Sequence, residues 1–299
     1  MSSTSSVIGI DLGGTKLRIT RLDSKTMKVL KSEKIPTRAQ SFALVKEDIV
    51  EAINTLRAPD TVAVGIGVPG LIDRKSGAIL TLPNIAGAEN QHLSQYLTEK
   101  TGLPTFMEND AHCFALGEAL YGAGKGHDIV VGVIMGTGVG SGIIIHQNIY
   151  HGAHGFAGEL GHMLLVPGQP PFDAADKRGE VEQFLSGKAM GLRCEAARSP
   201  KDFLSGEACS FLHPSLYKEV AWLVTNLTYC LDPSIIVFGG SAGTSLKSHL
   251  PAIRKEIEQW MLPATPIPPL AVAGLDDSPV RGAASVALKA LGMMGEDHV

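Results

Sequence analysis

The chemically distinctive stretch of this chain is M-E-N-D-A-H, Met107–His112, where an amide and a carboxylate stand side by side. The run Leu103–Phe106 before it predicts a short strand, and Ala115–Leu120 after it predicts a helix. We therefore expect Asn109 and Asp110 at a strand-to-helix junction. There the Asp110 side chain can cap the helix, or it can point into a cleft beside the sheet and accept a proton from a reacting group.

A glycine turn near the N-terminus has the features of an anion site. Val7–Lys16, V-I-G-I-D-L-G-G-T-K, predicts an apolar strand that ends in Asp11, and an alternating strand follows. Leu12–Thr15 is thus a hairpin turn, which excludes the dinucleotide fingerprint and the P-loop, because both place glycines at a helix N-terminus. Glycines let main-chain N–H groups approach an anion closely. Asp11 would face that anion and could hold Mg²⁺ through water.

A second glycine turn repeats this design more than a hundred residues later. Ile129–Met135 and Ser141–Ile145 predict two aliphatic strands joined by G-T-G-V-G-S-G. The repetition suggests two similar half-molecules. The uncharged run Ile129–His146 is about long enough to span a bilayer, but its glycines break it, and a pair of strands explains it better.

Four further polar residues are candidates for binding a ligand. Asn84 lies in a loop rich in proline and glycine, T-L-P-N-I-A-G, which presents its amide well. Glu159 and His162 are three residues apart and would face the same way on one turn of helix. Glu182 is placed at the start of a helix, where a carboxylate is favoured by the dipole.

The last glycine-rich segment follows a predicted buried strand in Asp232–Gly243. Gly239, Gly240 and Ser241 would let a flat base approach the main chain. Helices are predicted over Lys188–Arg198, Leu246–Met261 and Ser278–Leu291.

Composition limits the class of protein. With 299 residues, 44% of them hydrophobic, the chain is long enough for two domains. The net charge of -4 and the lack of a basic run argue against nucleic-acid binding. The N-terminus is a short polar tail without the features of a signal peptide. Four scattered cysteines without a C-x-x-C pair indicate reduced core cysteines in a cytoplasmic protein.

Taken together, the ordered segments resemble the ROK family of sugar kinases, in the actin-like ATPase superfamily. They are D-L-G-G-T-K, G-V-P-G, N-D-A, G-T-G-V-G-S-G, G-E-L-G-H, E-Q-F-L-S-G and D-P-S-I-I-V-F-G-G, and they run from Val7 to about Leu291. The resemblance implies an α/β, two-domain actin-like ATPase (ribonuclease H-like) fold with a deep interdomain cleft, a homodimer, and no membrane partner. We expect an N-terminal domain of residues 1–118 plus 285–299 and a C-terminal domain of residues 119–284.

The resemblance also implies roles for individual residues in transfer of the ATP γ-phosphoryl group to a sugar hydroxyl. Asp110 matches the catalytic base. The sugar-binding positions fall on Asn84, Asn109, Asp110, Glu159, His162 and Glu182. The nucleotide-binding positions fall on Asp11, Gly13, Gly14, Thr15 and Lys16 in the first turn, on Gly136, Thr137 and Gly138 in the second, and on Gly239, Gly240 and Ser241 for the adenosine. Asp11 would hold Mg²⁺, through water.

One segment departs from the family. Many members carry a C-x-C-G-x-x-G-C zinc motif before the last sugar-binding glutamate, whereas this chain has P-P-F-D-A-A-D-K-R-G-E-V-E at residues 170–182. A structural zinc site needs about four ligands, and of the expected set only His162 remains. We therefore expect no zinc, and we expect packing of Pro171 and Phe172 to shape the loop instead.

The identity of the sugar stays open. The 6-OH of glucose is favoured, since N-I-A-G-A-E-N is similar to glucokinase-like members. N-acetylglucosamine, N-acetylmannosamine and fructose are alternatives, because the segments around Asp110 and Arg281 are similar to members that act on N-acetylglucosamine or fructose. A sugar sensor without activity is disfavoured because Asp110 is present.

Overall fold

The computed structural model describes residues 5–196 and 199–294, and the chain forms two compact units. Unit one comprises Met1–Gly117, Gly152–Gly155 and Asp277–Val299, and unit two comprises Glu118–His151 and Phe156–Asp276. The closing helix belongs to unit one from its first residue, whereas the sequence-based bound of 285 falls inside it. The first four residues of the polar tail, Ala197 and Arg198 of the helix predicted over Lys188–Arg198, and residues 295–299 of the N-terminal domain lie outside the described residues.

Unit one is built on a five-stranded sheet of order β3-β2-β1-β4-β7. Its strands are β1 (Ser6–Leu12), β2 (Lys16–Asp23), β3 (Val29–Pro36), β4 (Thr61–Val68) and β7 (Thr105–Asn109), with a separate short pair of β5 (Leu71–Ile72) and β6 (Ile79–Thr81). Its helices are α1 (Phe42–Leu56), α2 (Leu93–Thr101), the first eight residues of α3 (Asp110–Tyr121) and the closing helix α10 (Ser278–Ala290).

Unit two is built on a sheet of order β10-β9-β8-β11-β12. Its strands are β8 (Ile129–Met135), β9 (Val139–Ile145), β10 (Asn148–Ile149), β11 (Ile235–Gly239) and β12 (Leu270–Val272). Its helices are α4 (Val181–Leu185), α5 (Gly187–Arg193), α6 (Pro200–Ser205), α7 (His213–Leu231), α8 (Gly240–Ser245) and α9 (Leu250–Ile257), with 3₁₀ turns at Leu160–His162, Glu207–Leu212 and Leu246–Ser248.

The two sheets share one topology. In unit one, β2 runs antiparallel to both its neighbours, while β1, β4 and β7 run parallel. In unit two, β9 is the antiparallel strand, and β8, β11 and β12 run parallel. Each unit also has its own core of aliphatic side chains. The expectation of two similar halves is confirmed, and in each half a glycine turn follows the central strand.

Glycines let the main chain of α10 lie directly on the sheet of unit one. A β-carbon at Gly65 of β4 would lie 1.7 Å from the carbonyl oxygen of Ala283, and one at Gly9 of β1 would lie 2.2 Å from that of Val280. Similarly, a β-carbon at Gly282 would lie 1.8 Å from the carbonyl oxygen of Cys113 in α3. These distances exclude any side chain, so glycine at both surfaces sets how closely helix and sheet approach.

The helices predicted over Lys188–Arg198 and Leu246–Met261 differ from the structure in extent. The first is wrong beyond Arg193, where α5 ends with Cys194 in an extended conformation. The helix predicted over Leu246–Met261 is wrong in extent, since a 3₁₀ turn ends at Ser248 and α9 spans only Leu250–Ile257. Pro251 explains the interruption, because proline lacks the N–H that a helix interior requires but fits the first helical turn.

None of the described helices is long and apolar enough to cross a membrane.

The expectation that all four cysteines are reduced core residues is wrong. Cys194 and Cys209 form a disulfide, with their Cα atoms 6.0 Å apart. Cys113 is buried and carries a free thiol, whereas Cys230 is free and exposed. The pairing was not visible in the sequence because the two bonded residues lie 15 positions apart, without a recognisable spacing.

We predict that Gly65→Ala destabilises the protein by about 1 to 3 kcal/mol, because the new methyl group must push α10 away from β4. Denaturant unfolding followed by circular dichroism measures the change. Gly191→Ala is the matched control, since Gly191 lies within α5 with no atom within 4 Å of the added methyl group. That variant should gain up to about 1 kcal/mol from helix propensity. Equal stability of the two variants would contradict the close approach of α10.

Candidate functional site

The junction of β7 and α3 places the two polar residues of the M-E-N-D-A-H stretch, as expected. The strand ends at Asn109 and the helix begins at Asp110. Asn109, not Asp110, caps the helix: its Oδ1 accepts from the N–H groups of Ala111 and His112 at 2.9 and 3.0 Å. Its Nδ2 donates to the carbonyl oxygen of Gly70 at 3.0 Å. One N–H of the Asn109 amide therefore remains for a ligand.

Asp110 is the first residue of α3, and its Oδ1 accepts from the N–H of Ala111 at 2.8 Å. Its Cα lies against Gly67 of the neighbouring strand β4, where a β-carbon would come within 3.3 Å of it. The carboxylate is half-buried at the positive end of the helix dipole, which favours the ionised form. An ionised carboxylate can accept a proton, and it can accept hydrogen bonds from a hydroxyl group.

Asp11 and Asp110 interact electrostatically. Asp11 lies at the end of β1, beside Gly67 in the register of β1 with β4. Burial raises the pKa of the Asp11 carboxyl to about 7, and the negative charge of Asp110 adds to the rise. Arg18, which lies opposite Asp11 on β2, lowers this pKa. Two neighbouring carboxylates are a favourable place for a divalent cation.

The first glycine turn is a hairpin between β1 and β2, as predicted. The N–H of Gly13 donates to the carbonyl oxygen of Lys16 at 2.9 Å. Thr37, after β3, holds the turn from outside, donating its hydroxyl to Gly13 and its N–H to Thr15 at 2.7 and 3.0 Å. Thr15 and Lys16 remain exposed at the tip of the turn.

Asn84 lies beside this turn. A β-carbon at Gly14 would come within 3.3 Å of the Asn84 Cβ. Asn84 itself is exposed and adopts a left-handed conformation with φ of 65°, which asparagine tolerates better than most residues. A pocket of about 460 Å³ is lined by Asn84 and its neighbours in the same loop. The loop thus presents an amide next to the first glycine turn.

The second glycine turn joins β8 to β9 and is supported by Glu182. The Oε2 atom of Glu182 accepts from the N–H of Val139 at 2.8 Å, and a β-carbon at Gly138 would lie 2.5 Å from that atom. The carbonyl oxygen of Gly136 accepts from Gly187 at the start of α5 at 2.7 Å. Thr137 is exposed at the tip, in the position that Thr15 has in the first turn. One oxygen of Glu182 is therefore committed to the turn.

Gly239, Gly240 and Ser241 follow β11 at the same edge of the sheet in unit two. Gly239 pairs with Ile134 of β8, just before the second glycine turn. Gly240 has φ of 76°, and a β-carbon there would lie 2.6 Å from the carbonyl oxygen of Met135. Since the carboxyl ends of β8 and β11 are neighbours, these glycines and the second turn lie together.

Glu159 and His162 lie at the two ends of one 3₁₀ turn, in which the N–H of His162 donates to the carbonyl oxygen of Glu159 at 3.1 Å. The 3₁₀ turn covers only Leu160–His162, and Glu159 precedes it. The side chain of His162 is 56% exposed, and its Nδ1 lies 3.2 Å from Oε2 of Glu180. Glu180 also pairs with Arg178 at 3.2 Å. The turn of helix expected here is a single 3₁₀ turn with Glu159 as its N-cap, and the common direction of the two side chains stays a prediction.

The loop in the position of the zinc motif is closed by its main chain. Leu164 and Glu180 form an antiparallel bridge. Oε1 of Gln183 accepts from the N–H groups of Gly179 and Glu180 at 2.7 and 3.2 Å, and its Nε2 donates to the carbonyl oxygen of Asp176 at 2.6 Å. One glutamine thereby fixes the end of the loop at the start of α4.

The expected packing of Pro171 and Phe172 is not what shapes this loop. Both residues are half-buried, and neither is among the described apolar residues that pack on the core of unit two. A close main-chain approach serves instead, since a β-carbon at Gly179 would lie 1.8 Å from the carbonyl oxygen of Val166.

Sequence reasoning missed the role of Glu108. This residue lies between Met107 and Asn109, and it is only 4% exposed. Its Oε2 accepts from Arg74 at 2.9 Å, and its Oε1 lies 3.1 Å from Nδ1 of His112. The signal was the glutamate next to the N-D pair, but its partner Arg74 lies 34 positions earlier, which no local pattern reveals.

We predict that Asp11→Asn stabilises the protein at pH 8 by on the order of 2 kcal/mol when Mg²⁺ is absent, and much less at pH 5. The pKa of Asp11 is raised in the folded state, so between about pH 4 and 7 the folded protein binds more protons than the unfolded one, and stability falls as pH rises. Removing the group abolishes that loss.

Urea unfolding at both pH values, with a chelator present, measures this difference. Asp73→Asn is the control, because the pKa of the exposed Asp73 is lowered by the main-chain N–H groups of Lys75 and Ser76. It should show no gain at pH 8. If Asp11→Asn were no more stabilising at pH 8 than at pH 5, the raised pKa would be refuted.

Comparison with known proteins agrees with this geometry. Residues 7–290 match the sequence profile of the ROK family. The N-acetyl-D-glucosamine kinase of Aliivibrio fischeri is 31% identical over 307 aligned positions, which cover 94% of this chain and 99% of that protein. The glucokinase of Thermotoga maritima is 29% identical, and that match covers 96% of this chain and 98% of the relative.

A solved structure extends the comparison to three dimensions. The ROK family glucokinase from Streptomyces griseus, in complex with glucose and AMPPNP, has a TM-score of 0.80 at 27% identity, and the match covers 95% of this chain and all of that one. The profile spans nearly the whole described chain, and the fold agrees over the same length. The chain therefore belongs to the ROK family and has the actin-like ATPase fold of that family's kinases.

Proposed function

We propose that this protein is an ATP-dependent sugar kinase that transfers the γ-phosphoryl group to a hexose hydroxyl. The observation that carries the proposal is the pair of carboxylates Asp11 and Asp110 at the carboxyl ends of β1 and β7 in unit one, beside a glycine turn. The curated relatives named above are sugar kinases, and one solved neighbour holds glucose and an ATP analogue. Both support the assignment of a sugar and ATP as substrates.

Asp110 is the proposed general base. A sugar hydroxyl is not ionised at neutral pH, so a carboxylate within hydrogen-bond reach must orient it and accept its proton as transfer proceeds. The transition state is loose and needs positioning more than a strong base, for which a carboxylate is sufficient. The N-terminus of α3 and the Asn109 cap hold Asp110 at a defined place for this task.

Asp11 is the proposed residue for Mg²⁺, through water. The chemistry of the donor set fits this ion, because Mg²⁺ prefers carboxylate oxygens and keeps several waters. The pKa of Asp11, raised to about 7 by burial and by Asp110, supports the fit, since a divalent cation would relieve the repulsion between the two acids. Bound with the nucleotide, Mg²⁺ would neutralise charge on the phosphates.

The two glycine turns are the proposed phosphate-binding groups. These turns are Gly13, Gly14, Thr15 and Lys16 in unit one and Gly136, Thr137 and Gly138 in unit two, and each has an exposed threonine hydroxyl at its tip. The N–H groups of Gly13 and Gly136 already donate to the carbonyl oxygens of Lys16 and Gly138, so the other main-chain N–H groups of the turns are the proposed donors. In unit two, Gly239, Gly240 and Ser241 lie next to the second turn, where they can receive the adenosine. The absence of side chains at these glycines permits the close approach that an anion requires.

The proposed sugar ligands are Asn84, Asn109, Asp110, Glu159, His162 and Glu182. The structure limits what two of them can offer. Asn109 has one amide N–H left to donate, and Glu182 has its Oε1 left to accept, because their other polar atoms hold the α3 cap and the second glycine turn. His162 is exposed and would change its contact with Glu180 if it bound a hydroxyl.

The 6-OH of glucose is the proposed acceptor, with N-acetylhexosamines and fructose as alternatives. The names of the relatives support both glucose and N-acetylglucosamine. We further propose a homodimer, without nucleic-acid or membrane partners. A cytoplasmic location is proposed because ATP is the phosphoryl donor.

ADP formation across a panel of sugars tests the proposal. Purified protein with MgATP should release ADP only when glucose, mannose, fructose, N-acetylglucosamine or N-acetylmannosamine is added, and the sugar with the highest kcat/KM defines the substrate. Protection against heat by a sugar that yields no ADP would favour a sensor. Hydrolysis that does not depend on any sugar would exclude a sugar kinase.

We predict that Asp110→Asn lowers kcat by about 10² to 10⁴ while sugar affinity stays within about tenfold, because the amide keeps the shape but cannot accept the proton. Coupled ADP measurement gives kcat, and calorimetric titration of the sugar gives its affinity. Asp73→Asn is again the control, and it should retain full activity. If Asp110→Asn keeps more than about a tenth of the wild-type kcat, Asp110 is not the base.

We predict that the purified protein contains no stoichiometric zinc, because no cysteine is present between His162 and Glu182 to complete a site. Elemental analysis by mass spectrometry after dialysis against metal-free buffer measures the content. About one zinc ion per chain would contradict the prediction and would point to His162 and Glu180 as ligands.

A further inference from the structure

A buried glutamate that none of the proposed roles uses lies next to the proposed base. Glu108 is the penultimate residue of β7, and it is only 4% exposed. Charged residues are seldom buried unless their partners compensate them. It lies on the strand that ends at Asn109, directly before Asp110, so its charge is close to the proposed base.

The contacts of Glu108 join the strand to the first turn of α3. Its Oε1 accepts from the main-chain N–H of Asn109 at 2.9 Å and lies 3.1 Å from Nδ1 of His112. One oxygen therefore contacts both the residue before Asp110 and the second residue after it. Asp110 stands in a segment of five residues, Glu108–His112, whose two ends are tied together by a single carboxylate.

The other oxygen of Glu108 connects this segment to a different loop. Arg74, in the turn after β5, donates to Oε2 at 2.9 Å, and its side chain is 41% exposed. Asn109 binds the preceding loop as well, through Gly70. The main chain at Asp110 is thus held by the Asn109 cap and, through Glu108, by a half-buried ion pair.

We infer that Glu108 is a positioning residue for phosphoryl transfer, which sets the direction of the Asp110 carboxylate by clamping the junction of β7 and α3. The inference rests on the proposed function. A general base must lie within hydrogen-bond reach of the hydroxyl it serves, so a small rotation of the junction removes its effect. Glu108 does not need to touch either substrate for this role.

Three variants separate this role from a purely structural one. Glu108→Ala removes all three contacts, and it should lower kcat by about 30- to 100-fold, which is the usual cost of misplacing a reacting group by about 1 Å. The KM for ATP should stay within about threefold, because the proposed nucleotide ligands lie on other segments of the chain. Circular dichroism and the melting temperature show whether the variant is folded.

Glu108→Gln is the conservative variant. Its amide oxygen can still accept from the N–H of Asn109, so kcat should recover to within about fivefold of wild type. Arg74→Ala removes only the contact on the far side of the carboxylate, and it should change kcat by less than about threefold. Asp277→Ala is the matched control, since Asp277 is also a buried acid of unit one in an ion pair, 2.7 Å from Arg281. It should lose stability and keep its kcat.

A double-mutant cycle with Asp110→Asn gives the decisive readout. If Glu108 acts through Asp110, then Glu108→Ala should change the residual kcat of Asp110→Asn by less than about twofold. Independent effects that multiply in the double variant would overturn the inference, and so would a folded Glu108→Ala variant with more than about a third of the wild-type kcat.

The two proposals can fail separately. Wild-type protein that forms no ADP with any sugar would refute the kinase assignment. Active wild type, inactive Asp110→Asn and a fully active Glu108→Ala would refute only the role of Glu108.

Discussion

The close approach of α10 to the sheet of unit one is the constraint on which the arrangement of the carboxylates depends. Four glycines leave no room for a side chain where α10 meets β1, β4 and α3: Gly9, Gly65, Gly117 and Gly282. Because β-carbons are absent, the helix backbone covers the sheet directly, and β1, β4 and β7 lie in fixed register beneath it. The carboxyl ends of these parallel strands then bring Asp11 and Asp110 to either side of Gly67.

That arrangement has an electrostatic cost. Asp11 has a pKa of about 7 because it is buried and because Asp110 is near, so the folded protein at neutral pH carries repulsion that the unfolded chain lacks. The buried thiol of Cys113 reports the same field, since burial raises its pKa and the charges of Glu108, Asp110 and Asp11 raise it further. Clustered acids of this kind are typical of sites where a cation and a reacting group must meet.

The two units use one topology for different tasks. In unit one the glycine turn is held by Thr37, the residue after β3. The polar residues nearby are Asn84 on a loop and Asp110 at the start of α3. In unit two the turn rests on Glu182 and on Gly187, at the beginnings of α4 and α5. Because the carboxylate of Glu182 binds the N–H of Val139, the second turn depends on α4 and on the loop that precedes it. Gln183 and the bridge between Leu164 and Glu180 hold that segment without a metal motif.

Much of the local structure could be predicted from the sequence alone, because periodicity and turn chemistry act over a few neighbouring residues. Alternating and aliphatic runs predicted β1, β2, β7, β8, β9 and β11, and paired glycines with threonine predicted the two hairpin turns. The ordered motifs predicted the family and the fold. The N-D pair marked the strand-to-helix junction, although the choice between Asn109 and Asp110 as the cap needed the geometry of the backbone.

The contacts between residues that are far apart in the sequence became visible only in the tertiary structure. Arg74 reaches Glu108 across 34 positions, Glu182 supports Val139 across 43, and Cys194 bonds Cys209 across a loop of no standard spacing. Nδ1 of His162 lies 3.2 Å from Oε2 of Glu180, which follows 18 positions later. Such contacts depend on how strands and helices pack, and packing is set by shape and burial over the whole unit. A local pattern of residue types carries no record of these contacts.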